Sequence, residues 1–431
     1  MKTGNKILAI VFLAVIFIML PVVVAGPVIY CVDYSSSSED VDLSAAYPFR
    51  DGSSGRNRGA FGIGDTLGGD YGVIRTLEGY VKSFTTDHFY FQTQCVIVKK
   101  TIDRAIGLDM TTSLTAGEND LSNDFDLVLP YDEDCLGFAV DDIDISSDLG
   151  SLIDFADQVK NDGRDFLFFM VPGKYTGNDK FTDYSQKRLN TVLSSLNEKE
   201  IDVLDLNGVV EESGLKISSL FFKTDHHWLP STGIWADKLL CEYMNENYGY
   251  DIDTSIFDPE NYETTVLENH FLGSLGKKVT TVYTSLEDFP VVEPKYDTDL
   301  EIFDSKLCKT PNETLHGSIQ ETMFNYSALK VTERYSGDAY LFYGYGDKAL
   351  TTIHNNDIHD GSRILILKTS FADCMYPYLS AVFEYIDVVD LRHFNGSLQT
   401  FIDETNPDTV VMIYGLTSFN LTNNYGLFDF R

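Results

Sequence analysis

Ile364-Leu365-Ile366-Leu367-Lys368-Thr369-Ser370-Phe371-Ala372-Asp373-Cys374 reads as a buried strand that runs out into a serine. Four unbroken aliphatic residues require apolar cover on both faces, the situation of a central parallel strand. Ser370 then stands at the C-terminal tip of that strand, the edge at which open α/β sheets bind ligands. It also opens the next helical turn, where its own amide is placed to hold an oxyanion.

The same kind of run recurs on either side. Phe166-Leu167-Phe168-Phe169-Met170-Val171, Ile201-Asp202-Val203-Leu204-Asp205-Leu206, Tyr385-Ile386-Asp387-Val388-Val389 and Thr409-Val410-Val411-Met412-Ile413-Tyr414 are short and mostly without alternation. A helix-compatible stretch from 183 to 199 separates the first two. Strands alternating with helices imply right-handed crossovers and a mainly parallel sheet, an α/β fold. The region from about 251 to 360 breaks this rhythm; it is polar and reads as a long insertion between sheet elements. Within it Leu341-Phe342-Tyr343 is the expected strand.

At the N-terminus Lys2 and Lys6 precede an uncharged apolar run from Ile7 to Ala25, and the first charge after it is Asp33. About 18 to 20 such residues suffice to cross a membrane. Residues 1–32 are therefore expected to be a signal anchor, with the lysines inside and the body outside. Val23-Val24-Ala25 also fits a cleavage site, which would make the protein secreted. Residues 33–74, rich in Ser, Gly and Asp, read as a lead-in to an α/β domain over 75–431.

The chain has 431 residues, with 32 basic and 66 acidic side chains, a net charge of −34. No stretch offers a basic face, so nucleic acid is excluded as a partner. Six scattered cysteines contain no CxxC pair, which speaks against a zinc ribbon or a redox motif. No cofactor or metal is expected.

The second informative stretch is Lys223-Thr224-Asp225-His226-His227-Trp228-Leu229-Pro230-Ser231, which precedes a helical pattern of Ile234, Ala236, Leu239, Leu240 and Tyr243. Pro230 suits a first helical position. Asp225 and both histidines therefore lie on a turn before a helix. Residues two apart in an extended turn project to one side, so Asp225 and His227 are expected to face one pocket, with His226 turned away. A serine hydroxyl needs a base, and the base needs an orienting carboxylate. Ser370, His227 and Asp225 supply the set, with His226 as the alternative base. The competing metal reading would need a further ligand, for which His354, Asp357 and His359 are the conceivable donors.

Asp-His-His-Trp before a helix, with the later Lys-x-Ser-Phe-Ala-x-Cys block, resembles the DHHW family, related to the SGNH hydrolase-like proteins of alginate O-acetylation. Val171-Pro172-Gly173-Lys174, Phe271-Leu272-Gly273-Ser274, Asp390-Leu391-Arg392-His393-Phe394-Asn395-Gly396 and Asp87-His88-Phe89 are also similar. The resemblance implies an SGNH-hydrolase-like three-layer α/β sandwich with a mainly parallel sheet, with Ser370 as nucleophile, His227 as base and Asp225 as its orienting acid. It further implies an O-acetyltransferase acting on a cell-surface polysaccharide, with a membrane-bound O-acyltransferase as partner. A carbohydrate esterase with the same triad, or a non-catalytic glycan-binding or assembly protein, are the alternatives. One departure stands out: the family block usually reads Lys-Asp-Ser, and here Thr369 replaces that Asp.

Four further residues enter as candidates beside plainer readings. Lys174, after a strand tip, either meets an anionic substrate or is a solvated turn lysine. Gly273 and Ser274 either lend an oxyanion donor or form an ordinary turn. Trp228 either stacks on sugar or packs.

Overall fold

In a computed structural model the described residues are 92–105, 128–132, 134–310, 313–330, 333–335, 337–419 and 426–430. The expected anchor over 1–32, the lead-in over 33–74 and the Asp87-His88-Phe89 segment lie outside them. The described residues from Val96 onward fall in one compact unit. None of the described helices is long and apolar enough to cross a membrane.

The elements run in chain order as α1 (Gln92–Ala105), β1 (Val128–Asp132), β2 (Cys135–Phe138), α2 (Ser146–Asn161), β3 (Asp165–Val171), α3 (Ser185–Glu198), β4 (Asp202–Asp205), α4 (Leu206–Ser213) and α5 (Pro230–Tyr248). After these come β5 (Tyr262–Phe271), α6 (Ser274–Val279), β6 (Glu287–Pro294), β7 (Leu300–Asp304), β8 (Leu315–Gly317), β9 (Leu350–Asn355), β10 (Arg363–Lys368), β11 (Tyr385–Val389), α7 (Leu398–Thr405) and β12 (Thr409–Gly415). Several single turns lie between them.

An eight-stranded sheet has the order β4-β3-β12-β10-β11-β9-β7-β8. From β4 to β11 neighbouring strands are parallel; from β11 onward every pairing is antiparallel. The parallel half explains the continuous apolar runs. Leu167, Phe169, Ile364, Ile366, Val411 and Ile413 point to one face and meet Trp228, Ile234, Leu240 and Met244. Phe166, Phe168, Leu365, Leu367, Val410 and Met412 point to the other and meet Leu152, Phe155, Val192, Leu196 and Ile402. Each strand thus carries two apolar faces, and truncating one such Phe to Ala costs about 3–5 kcal/mol.

Two expectations are corrected. The region from about 251 to 360 is not merely an insertion between sheet elements: β7, β8 and β9 extend the main sheet, and only β5 and β6 form a separate antiparallel ribbon. The strands of this region alternate between buried and partly exposed positions, or lie largely open as β5 does. Antiparallel strands with one wetter face lack the unbroken apolar signal. Leu341-Phe342-Tyr343 is not a strand. Residues Ala339–Phe342 form a 3-10 turn, started by the Asp338 side chain accepting from the Tyr340 N–H.

Helix α5 matters most for the site. Pro230 starts it with a preset φ, and Gly249 ends it in the left-handed region at φ 76°. Its N-terminus therefore fixes where the preceding Asp-His-His-Trp loop must lie.

Candidate active site

Strand β10 delivers Ser370 to the C-terminal edge of the sheet. There the chain turns into a 3-10 helix, Ser370–Cys374, so that Ser370 is its first residue. Thr369, the point of departure from the resembled block, binds the turn to β12: its N–H and its hydroxyl both donate to the Ile413 carbonyl, at 3.3 and 3.2 Å. Ser370 remains half-buried, whereas Phe371 to Cys374 are buried behind it.

The loop opposite is pinched shut. The Phe222 N–H donates to the His227 carbonyl at 3.2 Å and the Leu229 N–H to the Leu220 carbonyl at 2.8 Å. Glu287 of β6 accepts from the Lys223 and Thr224 amides at 2.6 and 2.7 Å and from the Thr224 hydroxyl at 2.5 Å. Asp225 then accepts the His227 backbone N–H at 2.9 Å. Its Oδ1 lies 2.6 Å from His227 Nδ1, and His227 Nε2 lies 2.7 Å from Ser370 Oγ. Residues 143 positions apart in the chain thus meet in one hydrogen-bonded line. A carboxylate only accepts, so Nδ1 carries the ring proton and Nε2 is left to accept from the Ser370 hydroxyl.

Asp225 stays charged. Burial works against its charge, but the His226 and His227 rings and the bonds from His227 and the Ser274 N–H hold its carboxyl well below the usual range. His226 is pushed down to about 3 by burial and then by its neighbour His227. It is neutral at ordinary pH.

The remaining candidates are placed by their own hydrogen bonds and contacts. His226 is not turned away: its ring centroid is 3.8 Å from that of His227, and its Nδ1 lies 2.7 Å from the Ser274 hydroxyl. His227, not His226, has its ring nitrogen on the Ser370 hydroxyl. Lys174 is neither a solvated lysine nor a substrate contact. It is fully buried, and its Nζ donates to the Phe222 carbonyl at 2.5 Å and the Lys223 carbonyl at 3.4 Å, tying down the start of the Asp-His-His-Trp loop. Gly273 and Ser274 do not lend oxyanion donors. Their amides are taken by the Thr224 hydroxyl at 2.8 Å and by Asp225 Oδ2 at 2.5 Å. Trp228 is buried; its Nε1–H donates to the Phe371 carbonyl at 3.0 Å and to Cys374 Sγ at 3.1 Å, beneath the serine turn. Sugar stacking is therefore closed to it.

Asp225, His226 and His227 offer ligand atoms within 4.8 Å of one another, and among the described residues no further His, Cys, Asp or Glu joins that group. His354 instead stacks on Tyr385 and Asp357 accepts from the Asp299 amide. Arg392 forms a two-pronged pair with Asp390, at 2.9 and 2.6 Å, and reaches Asp347 at 2.8 Å. The described cysteines Cys135, Cys241, Cys308 and Cys374 are all free and buried. Two contributors carry no motif that sequence reading can use: Glu287, which clamps the base loop, and Tyr340, whose ring lies against His227.

Comparison with known proteins adds the family. A family model described as DHHW protein matches residues 212–389. A second, described as SGNH hydrolase-like domain, acetyltransferase AlgX, matches residues 132–287. No curated protein matches the chain. Among solved structures the fold is similar to Bacillus cereus PatB1, at 20% identity and a TM-score of 0.55 over 71% of this chain and 99% of that one. It is also similar to a DHHW family protein from Eubacterium siraeum, at 19% identity and a TM-score of 0.53 over 70% and 94%. The two family models overlap over residues 212–287, the stretch that holds the Asp-His-His-Trp loop, and there the chain is similar both to the DHHW proteins and to the SGNH hydrolase-like domain.

Proposed function

We propose that the protein is an acyl-transfer enzyme held outside the membrane by its N-terminal segment, and that it is an O-acetyltransferase for a cell-surface polysaccharide. The observation that carries this reading is the line Ser370 Oγ, His227, Asp225, with steps of 2.7 and 2.6 Å. In the first half-reaction Ser370 Oγ attacks the carbonyl carbon of an acyl ester and its proton passes to His227 Nε2. The tetrahedral oxyanion collapses, the ester C–O bond breaks, and the leaving alcohol takes that proton, which leaves acyl-Ser370. In the second, His227 removes the proton of a sugar hydroxyl as its oxygen attacks the acyl carbon. Ser370 leaves and recovers the proton. Asp225 faces the ring throughout and favours the imidazolium form that appears in both steps. The Ser370 amide, first in its turn and without an intrahelical acceptor, is the donor placed for the oxyanion. One such donor typically contributes about 10²–10³ in rate.

The family models support the class of chemistry, and the lysine-flanked apolar run at the N-terminus supports the outward location. A membrane-bound O-acyltransferase would deliver the acetyl group. A second reading, a carbohydrate esterase, is favoured by the partial exposure of Ser370, because water can then take the place of the sugar hydroxyl.

The test is burst kinetics of the full chain with p-nitrophenyl acetate. One equivalent of nitrophenolate released quickly, lost in Ser370→Ala with an unchanged circular dichroism spectrum, is the expected result. Adding de-O-acetylated polysaccharide should speed turnover and acetylate the polymer. Turnover indifferent to polymer would select the esterase. No burst from a folded protein would leave only the non-catalytic alternative.

A further inference from the structure

Tyr340 touches the base and the nucleophile turn at once. Its ring lies parallel to the His227 imidazole, with 9° between the planes and 4.1 Å between centroids. Its hydroxyl donates to Cys374 Sγ at 3.2 Å. Cys374 closes the turn that Ser370 opens, and the same sulfur takes the Trp228 Nε1–H at 3.1 Å. The sulfur has nowhere to go: a Cβ built on Gly233 of α5 would lie 2.7 Å from it. Tyr340 and Cys374 are both buried.

This arrangement answers a mechanical question that the hydrogen bonds leave open. The bond from Nδ1 to Asp225 fixes one direction of the imidazole but permits rotation about that bond, and such rotation swings Nε2 out of line with Ser370 Oγ. A parallel aromatic face held at van der Waals distance resists the rotation. Phe371 adds an edge contact, 5.3 Å between centroids, from the nucleophile's own turn.

We propose that Tyr340 is a positioning residue that sets the plane of the His227 ring and, through Cys374, ties that plane to the turn carrying Ser370. The inference rests on the acyl-transfer reading above. Tyr340→Leu removes the face; Tyr340→Phe keeps the face and removes only the bond to the sulfur. The experiment measures, in the full chain, the burst amplitude with p-nitrophenyl acetate and the rate constant of the burst as separate quantities. A residue that served only to hold the fold would lower the amplitude, because fewer molecules would be competent, and leave the rate constant of the competent ones alone. Loss of ring alignment lowers the rate constant at full amplitude.

The expected outcome for Tyr340→Leu is a burst rate constant about 10²-fold lower, the scale of a displacement near one ångström, with KM little changed. For Tyr340→Phe it is roughly five-fold lower, the scale of one hydrogen bond. If the Leu variant does not fold, the Phe variant decides. A Phe variant with the parent's rate constant, or either variant losing amplitude alone, overturns the proposal. Ser370→Ala, run beside them, separates the two levels: a burst that survives in Ser370→Ala defeats the acyl-transfer reading itself. A burst lost there but unmoved in rate by both Tyr340 changes defeats only the role given to Tyr340.

Discussion

Gly273→Ala is the sharpest probe of how the orienting carboxylate is held. Gly273 has φ −72° and ψ 178°, a conformation that alanine adopts freely, so backbone strain contributes nothing. Space is what it lacks. A Cβ at this position would stand 2.3 Å from Asp225 Cβ and 2.5 Å from both Asp225 Cα and Oδ2, where ordinary contact begins near 3.4 Å. Relief needs a retreat of about 1.1 Å, the difference between 3.4 and 2.3. The retreat cannot be private to one residue. The Ser274 N–H bond to Asp225 Oδ2 and the Gly273 N–H bond to the Thr224 hydroxyl tie the two segments together. A displacement of that size at the acid that orients His227 should lower the acylation rate about 10²-fold. Overpacking of this kind also costs about 1–3 kcal/mol of stability. Burst kinetics and urea denaturation measure the two effects separately. Gly150→Ala is the control: nothing lies within 4 Å of its Cβ, it sits inside α2, and the expected change is about 0.5–1 kcal/mol of added stability at unchanged rate. A Gly273→Ala protein that acylates at the parental rate would sink the claim that Asp225 is locked by this contact.

Two further outcomes concern stability. Asp237 of α5 is fully buried, neither oxygen has a hydrogen-bond partner among the described residues, and burial raises its carboxyl well above the usual range. Because the folded value lies above the unfolded one, the parent should be most stable below the unfolded pKa of about 3.9 and lose about 1.4 kcal/mol per pH unit above it, until the folded carboxyl ionises. Asp237→Asn should lack that slope in urea denaturation between pH 4.5 and 6.5; parallel curves would refute it. Lys368→Met should cost about 3–5 kcal/mol, since it strips the buried Asp373 of the ammonium at 2.7 Å that it shares with the half-buried Asp347 at 2.8 Å. Asp373 is already raised to about 6 by burial despite that cation, so the deficit should grow as pH rises through 6 and shrink at lower pH, where the carboxyl protonates. A deficit independent of pH would contradict this.

Where the sequence could be read, a physical signal was confined to consecutive residues. Strands β3, β10, β11 and β12 announced themselves because helices cover one face and α5 the other, so nearly every side chain had to be apolar. Ser370 was visible as the residue ending such a run, and Asp225 with His227 as alternate positions of one extended loop. Strands β7 and β9 were hidden because partly exposed positions and polar residues such as Glu301, Thr352 and His354 interrupt their apolar ones. Lys174 was misjudged because its ammonium is satisfied by the carbonyls of Phe222 and Lys223, and carbonyls leave no trace in side-chain identity. The choice between the two readings of Gly273 and Ser274 could not be made from sequence for a related reason: which way an amide points depends on a loop 49 residues upstream. Tyr340 was out of reach altogether, since a stacking partner has no fixed spacing from the ring it covers.

The Asp-His-His-Trp loop works as a unit because its four residues divide one geometric task. Asp225 sets the direction of Nδ1 and the loop's own curvature, by accepting the backbone N–H two residues on. His227 carries the acceptor toward Ser370. His226 fills the space beside that ring while Ser274 restrains it. Trp228 does something the other three cannot: by donating to the Phe371 carbonyl it fastens the loop to the backbone one residue past Ser370. The separation between His227 Nε2 and Ser370 Oγ is therefore set twice, once by the weak and deformable hydrogen bond itself and once by a buried indole braced against the serine turn. A single neutral hydrogen bond contributes only about 0.5–1.5 kcal/mol and leaves considerable freedom. A buried tryptophan leaves little, because moving it opens a cavity in a close-packed interior. The 2.7 Å separation thus rests on the packing behind these side chains as well as on the hydrogen bond itself, and Trp228, one residue beyond the histidine, supplies that packing.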